Sequence, residues 1–562
     1  MKIKKNKKNN MEYPRYKQMT PFLICAYMIL SLLVNGIDNK SVLLTVMTVS
    51  MVVWFVGERI FPDNVYVEEK YSINKYIYIS IGAFIFTVIV SEIFSKSYSN
   101  SVLVGEYESA LNIFCYIILF FMAYRYGDIE KNQKMYECTI LVLSVLTVIM
   151  SFVEFFDVPL AKVWLGSGIN LSGNNRVVLS FGNSNYYGAF CCMLLTFITR
   201  LWLVSKDKVN KVLFVALNGA LVCCIFMSKS TMAIYLMVFV VGGTIVYEYK
   251  RVLSQWKYIL LFIAVLCIEL LVINTFSSGK LSQLINVGVT NSDAFVEIGS
   301  EKYVIEDIKL DNNRLVIVSD DSELVIEYDK QLIFYDENNN ILDVENEDNI
   351  IRFLAEPYSR IEVMVSFNRI EGMLLLEVDA GYKETIDFYI DNGVFKGVGA
   401  DGKTVDDIGG KYTSNKMNGL FTGRGYIWIN TISMLDNVIL MGNGCGNFVN
   451  VFKQYDYVGL LKSQGTSNII IDRPHNMFLQ YCIDIGLIGT LAIFSMIILI
   501  LICWIRQNIK YGRDEKVLSY STFLSVIVFL GFSILNDSLI ILSPYMWIFL
   551  GLNMSMQYSR NK

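Results

Sequence analysis

Histidine is all but missing from this sequence: 562 residues carry one, His475. One imidazole with no cysteine nearby is a poor start for a zinc site, and no His/Cys cluster along the chain has metal-ligand spacing. Cysteine is scarce where a disulfide framework would need it. Eleven are present, but nearly all fall inside apolar runs, and only Cys445 lies in the long polar region. That distribution argues against a disulfide-stapled scaffold. A cleavable leader also lacks its signal. The basic tail Lys2, Lys4, Lys5, Lys7, Lys8, Arg15 and Lys17 precedes an apolar run from Pro21 to Ile37 with no small-residue cleavage pattern behind it. Asp38-Asn39-Lys40 leads straight into a second apolar run, which predicts a retained first span.

What the chain has in abundance is apolar surface. Hydrophobic residues make up 54% of it, more than one soluble core can use, since packed cores stop growing at about 250–300 residues. Runs of bilayer-spanning length, about 20 residues, recur along the sequence. The expected fold is mainly α, a polytopic helical membrane protein of about twelve spans. They centre on residues 21–36, 41–57, 75–94, 110–126, 137–156, 186–204, 211–227, 231–248, 257–276, 475–504, 517–536 and 540–558. Charge supports this count. Loops expected inside carry Arg59, Lys70, Lys75, Arg125, Lys131, Lys134, Arg200, Lys206, Lys208, Lys211, Lys250, Arg251, Lys257, Arg506, Lys510, Arg513 and Lys516. Short loops expected outside carry only Lys40, Lys96, Lys162, Arg176 and Lys229. The asymmetry alternates as the positive-inside rule requires, placing both termini in the cytoplasm and the region 277–474 outside. The expected organisation is a membrane domain over 1–276, a large outward loop over 277–474, and a membrane domain over 475–562.

Within the outward loop the pattern changes. From about 291 to 410, short alternating stretches replace helical runs: Lys302-Tyr303-Val304-Ile305, Arg314 to Val318, Glu323 to Tyr328, Arg360 to Val365 and Met373 to Val378. Turn signals such as Asp311-Asn312-Asn313 and Glu337-Asn338-Asn339-Asn340 separate them, the pattern of a β-sandwich-like insertion. The insertion is rich in Asp and Glu, which speaks against nucleic acid as a partner. Ser319-Asp320-Asp321-Ser322 reads as a solvated turn rather than a calcium site, because one turn supplies too few oxygens. From 412 to 474 the chain reads as helix and loop. Gly423-Arg424-Gly425-Tyr426-Ile427-Trp428 opens an amphipathic segment. The Gly-rich turn Gly442 to Phe448 has phosphate-loop spacing but does not sit inside a βαβ unit.

The candidate site collects polar residues expected near the outer face. Arg473-Pro474-His475-Asn476 stands where the polar region re-enters an apolar run. Histidine takes and gives protons near neutrality. Pro474 suits a helix start, and Asn476 adds an amide for an imidazole or a substrate hydroxyl. Arg176, Lys229 and Arg424 are outward cations from distant parts of the chain, and a pyrophosphate would explain them, since its oxygens accept bidentate bonds from arginine. Each has a plainer reading. Arg176 and Lys229 would snorkel to headgroups, Arg424 would pair with an acid of the β-region, and Arg473 would pair with Asp472. Glu154 and Glu269 are costly in lipid and are expected to face protein or water.

These residues resemble the O-antigen ligase and polymerase superfamily of bacterial membrane glycosyltransferases. His475-Asn476 followed by Gly486-Leu487-Ile488-Gly489 is similar to the ligase signature. Arg176 with Gly182-Asn183-Ser184-Asn185 is similar to a second block, and Gly423-Arg424 with Trp428 and Gly442-Asn443-Gly444 to a third. The resemblance covers the spans and the loop ends, not 291–410. The family usually has arginine where this chain has Lys229, which removes the planar fork. The resemblance implies metal-independent transfer, without a cofactor, of a glycan from an undecaprenyl-pyrophosphate carrier to an acceptor hydroxyl, with inversion at the anomeric carbon. His475 and Arg424 would be catalytic, and Arg176, Lys229, Asn476 and Arg473 would bind substrate. A lipid-linked glycan flippase and a membrane anchor for an outward β-domain are the alternatives. A flippase of this size should show inverted repeats, and no convincing one is visible.

Overall fold

The structure is a computed structural model. It describes residues 19–60, 75–95, 108–156, 176–276 and 303–561, with short breaks at 312, 320–321, 401, 407, 410–417, 419 and 422. The basic N-terminal tail and the Asp320-Asp321 pair lie outside the described residues. The chain divides into two compact units. One comprises Met1–Val289, Val438–Asn447 and Asn476–Lys562; the other comprises Thr290–Asn437 and Phe448–His475.

The first unit is helical. Its elements before the insertion are α1 (Met19–Leu33), α2 (Ile37–Ile60), α3 (Lys75–Ile93), α4 (Ala110–Tyr126), α5 (Glu130–Phe155), α6 (Ser184–Val204), α7 (Lys208–Met227), α8 (Thr231–Ser254) and α9 (Trp256–Phe276). Eight helices of the described chain are long and apolar enough to cross a membrane: α2, α3, α5 to α9, and the helix Met477–Tyr511. α1, α4 and Val517–Phe532 are apolar but shorter. The last helix, Ser543–Asn561, falls outside both groups; Asn553, Ser555 and Gln557 are buried in it. Each of the twelve expected spans thus coincides with a helix, and eight meet the length and apolarity of a crossing. Large apolar side chains stay exposed along several of them, including Val46 and Val53 on α2, Ile79 and Phe86 on α3, and Leu260 and Leu271 on α9. Apolar surface on that scale is consistent with a multi-pass membrane protein.

Helices in such a unit gain little from hydrophobic burial against one another, so close packing of small residues and aromatic interlock do more of the holding. Trp547, in the last helix, is buried among Phe84 of α3 and Tyr116 and Phe120 of α4, with ring centroids 6.3–6.4 Å away. One turn further on, a Cβ at Gly551 would lie 2.4 Å from the Phe120 carbonyl oxygen, so only glycine permits this approach. Arg200, expected as an inner-loop cation, is instead fully buried at the end of α6, where it pairs with Glu248. Arg251 extends that pair to Glu515.

The second unit is built on two antiparallel sheets. Four strands run in the order β1-β2-β3-β4: β1 (Asp307–Asp311), β2 (Arg314–Val318), β3 (Glu323–Asp329) and β4 (Gln331–Tyr335). The other sheet runs from β11 back to β5 in uninterrupted order: β5 (Val344–Glu347), β6 (Ile350–Phe353), β7 (Glu362–Asn368), β8 (Met373–Asp379), β9 (Ile386–Asp391), β10 (Val394–Val398) and β11 (Thr404–Val405). Alternate residues point into a common core. Leu315, Ile317, Leu324 and Ile326 from one sheet are buried in the same cluster as Val363, Leu376, Val378 and Phe388 from the other. Each such side chain contributes roughly 1.5–3 kcal/mol. Residues 303–306, expected as part of a strand, are irregular, but Tyr303 and Ile305 still fill the core. Their backbone is held by the Ala380 and Val318 carbonyls instead of by a ladder.

Two longer helices follow, α10 (Arg424–Ser433) and α11 (Tyr457–Gln464), with a single helical turn at Phe448–Val451 between them. The chain then enters α12 (Met477–Tyr511), α13 (Val517–Phe532) and α14 (Ser543–Asn561). α12 is kinked, because Gly486, at φ 82° and ψ 165°, interrupts its helical backbone. A break frees backbone groups that lipid cannot satisfy, and the segment Val438–Asn447 satisfies them. Asn443 N–H donates to the Ile483 carbonyl (2.8 Å), Gly444 N–H to Asp484 (3.0 Å), and Leu487 N–H to Val438 (3.1 Å). A Cβ at Gly442 would sit 2.1 Å from the Asp484 carbonyl oxygen. The Gly-rich turn is therefore a backbone plug in the helical unit, which is why residues 438–447 separate from the rest of the expected outward loop.

Candidate active site

In the second unit, the site is built outward from the sandwich. Tyr457 of α11 is buried in the sheet core and its hydroxyl donates to the Val398 carbonyl (2.6 Å), while Lys462 pairs with Glu306 (2.5 Å). Asp456 caps α11 through the Gly459 N–H (3.0 Å) and accepts the Tyr426 hydroxyl of α10 (2.6 Å). That fixes α10, whose first residue is Arg424. Trp428 follows four positions on, the spacing that places two side chains on one helix face. Its indole N–H donates to the Pro474 carbonyl at 2.9 Å, and Phe421 packs on the same indole, with centroids 5.4 Å apart. One face of α10 thus carries Arg424 and grips the residue before His475. His475 is half-buried and holds φ at 52°, in the left-handed region. Arg473 lies 3.3 Å from the Asp472 carboxylate, matching its plainer reading as a local ion pair.

In the helical unit, three sequence blocks meet through hydrogen bonds. Arg176 is exposed, and the next residue donates to the Met227 carbonyl at the end of α7 (3.1 Å). Glu154, flagged as costly in lipid, accepts the N–H groups of Val178 (3.2 Å) and Leu179 (2.9 Å) and so ties down the segment that Arg176 opens. Lys229 sits in the turn between α7 and α8 with φ 52°. Its ammonium pKa is pushed down, first by burial and then by the charge of Arg176, so the structure holds two cations near each other. Ser230 caps α8 and donates to Asn185 Oδ1 (2.6 Å). Tyr186, the next residue, donates from its hydroxyl to the Asp537 carbonyl (2.9 Å), and the Asp537 carboxylate accepts the backbone N–H of Asn476 (3.1 Å).

Asn476 is held by its own contacts. Its amide oxygen caps α12 by accepting from Phe478 (2.9 Å) and Leu479 (3.1 Å), and its amide nitrogen donates to the Ile534 carbonyl (2.8 Å). The side chain fixes the start of the helix. Sequence reading passed over Glu108 and Asp537. Glu108 is buried; it accepts the hydroxyls of Tyr116 (2.8 Å) and Ser538 (2.8 Å), and burial raises its carboxyl pKa to about 7. Gln480 brackets Ser538 from α12 (2.8 Å to the Ser538 N–H). The only sequence signal for Glu108 was its place before the cap residue Ser109.

Among the described residues no group of three or more His, Cys, Asp or Glu is arranged to hold a metal ion. Comparison with protein-family models, curated proteins and solved structures finds no match.

Proposed function

We propose that the protein transfers a glycan from an undecaprenyl-pyrophosphate donor to an acceptor hydroxyl at the outer face of a bacterial cytoplasmic membrane, with both termini in the cytoplasm. The observation that carries this reading is the chain of contacts Ser230–Asn185, Tyr186–Asp537 and Asp537–Asn476. It ties the turn that bears Lys229 to the residue bonded directly to His475. Within the other unit, the Trp428–Pro474 bond fastens the helix of Arg424 to the residue before His475.

The chemistry is a single displacement. The His475 imidazole takes the acceptor hydroxyl proton as that oxygen bonds to the anomeric carbon. The bond from that carbon to the pyrophosphate oxygen breaks, and the electron pair leaves on the phosphate. Arg424, Arg176 and Lys229 stabilise the departing charge, with inversion at carbon. The bilayer confines donor and catalyst together.

The test is reconstitution in liposomes with a lipid-linked repeat unit. The His475→Ala protein is expected to insert normally and to lose about 10²–10⁴-fold in product formation. Undiminished product would refute this mechanism. Donor crossing the bilayer with no new glycosidic bond would establish the flippase reading in its place.

A further inference from the structure

The β-sandwich carries a cleft of about 610 Å³ that plays no part in the proposed transfer chemistry. That volume lies within the roughly 300–1,000 Å³ of small-molecule sites. Both sheets line it. Tyr328, Asp329 and Lys330 come from the end of β3 and its turn into β4, Phe367 from β7, and Asp391 and Asn392 from the β9–β10 hairpin. The walls are turn-built. Lys330 and Asn392 both adopt left-handed backbone (φ 62° and 51°), and Asn392-Gly393 is the two-residue loop between the paired residues Asp391 and Val394. Such Asn-Gly loops set hairpin register tightly, so the rim is fixed.

The lining has a particular chemistry. Phe367 is 60% exposed, an unusual state for a large aromatic ring in a domain with a closed core. Tyr328 is half-buried, and its hydroxyl has no hydrogen-bond partner among the described residues. Asp329 is exposed and carries two acceptor oxygens. Asp391 is held by Lys396 (3.0 Å) and by the Asn392 amide (2.9 Å), which fixes its carboxylate in place. Flat apolar faces beside rigid acceptors and donors suit a ligand with apolar C–H faces and a hydroxyl fringe, as a sugar ring has. Around the cleft, acidic residues far outnumber basic ones between 303 and 409. An anionic polymer would meet like charge there.

We propose that this cleft is a saccharide-binding subsite that takes an uncharged, hydroxyl-rich glycan segment. It goes beyond the transfer reaction, since binding here requires neither His475 nor Arg424. A chain held at this position would remain attached to the protein between transfers and raise the effective concentration of its end.

The test uses the full-length protein in lipid nanodiscs and measures binding of maltoheptaose, cellohexaose, chitohexaose, laminarihexaose and mannohexaose, with oligogalacturonate as the anionic comparison. At least one neutral oligosaccharide is expected to bind saturably, with Kd on the order of 10 μM to 1 mM, and more tightly than oligogalacturonate. Phe367→Ala is expected to weaken that binding by about 10-fold with an unchanged melting temperature, because the ring is already exposed. Tyr328→Phe removes only a hydroxyl and should weaken it less. The His475→Ala protein should bind as the wild type does, so a failure of the transfer reading leaves this result standing. No binding by any neutral member, or equal binding by Phe367→Ala, would overturn the proposal.

Discussion

Lys229 and His475 belong to different units, yet they share one backbone feature. Each is a non-glycine residue at φ 52°, placed just before a helix. Left-handed backbone costs an L-residue with a Cβ about 1–2 kcal/mol, and it persists only where the surroundings over-determine it. The surroundings differ. Around Lys229 the local chain does the work: its N–H donates to the Phe226 carbonyl (3.0 Å), Ser228 accepts the next N–H, and Ser230 caps α8. Around His475 the support comes from afar. Trp428 holds the preceding carbonyl across 46 residues, and the following Asn476 is fixed by Asp537 and by the start of α12. The turn at Lys229 is held mainly by its own neighbours, with one long-range bond from Ser230 to Asn185. The corner at His475 is held by partners far away in sequence.

The sharpest way to break this comparison is to remove the side chain and the strain separately at His475. Both His475→Ala and His475→Gly should abolish transfer, by about 10²–10⁴-fold. Their stabilities should differ. Alanine keeps the left-handed penalty, whereas glycine relieves it, so the glycine protein should melt higher by the equivalent of about 1 kcal/mol or slightly more. Thermal melts in detergent would read this directly. Identical melts for the two variants would mean the corner is not held in its left-handed form.

A smaller effect is expected when the distant support is cut. Trp428→Phe keeps the ring but loses the indole donor, leaving the carbonyl of buried Pro474 short of a partner. Stranding a buried acceptor costs about 1–3 kcal/mol. Product formation should fall about 10-fold, less than on losing His475 itself, with donor KM less affected than kcat. A change confined to KM would instead place Trp428 against substrate.

The two units were not equally legible in sequence. Ala110–Tyr126 coincides with the run expected there, and Arg314–Val318 and Met373–Asp379 fall where alternation placed strands. Local periodicity carries that information because it reflects which face is buried. The break in α12 was not read: Gly486 lies in a mostly apolar run interrupted by Gln480 and Asp484, and the segment 438–447 binds there through backbone atoms that any sequence would supply. Asn476 was visible as a polar residue before an apolar run. That is the pattern of a helix cap, and the structure uses it as one. The ion pair of Arg473 with Asp472 could be read from adjacency alone, whereas the Trp428–Pro474 bond joins two segments with no shared pattern.

The smallest expected change sharpens the Lys229 side of the comparison. Burial and the Arg176 charge lower the pKa of this lysine from the ordinary value of 10.5. The folded protein therefore holds that proton less tightly than the unfolded chain does. Below the lowered pKa the strained charge is fully present; as pH rises from there to 10.5, the folded state is relieved first and stability increases. On the proposed function, donor binding would run the other way, because a pyrophosphate would pair with the ammonium and lose it on the same rise. Lys229→Arg should keep its charge throughout and restore a planar fork. The variant should show a donor KM lower by a factor of about 2–5, on the scale of one improved charge-assisted contact, and the alkaline fall in kcat/KM should move to higher pH. The pH profile of kcat/KM for the wild type and Lys229→Arg, taken from about pH 7 to pH 10, distinguishes the cases. Coincident alkaline limbs would detach Lys229 from the donor and return it to the headgroup role that its position in a short turn also allows.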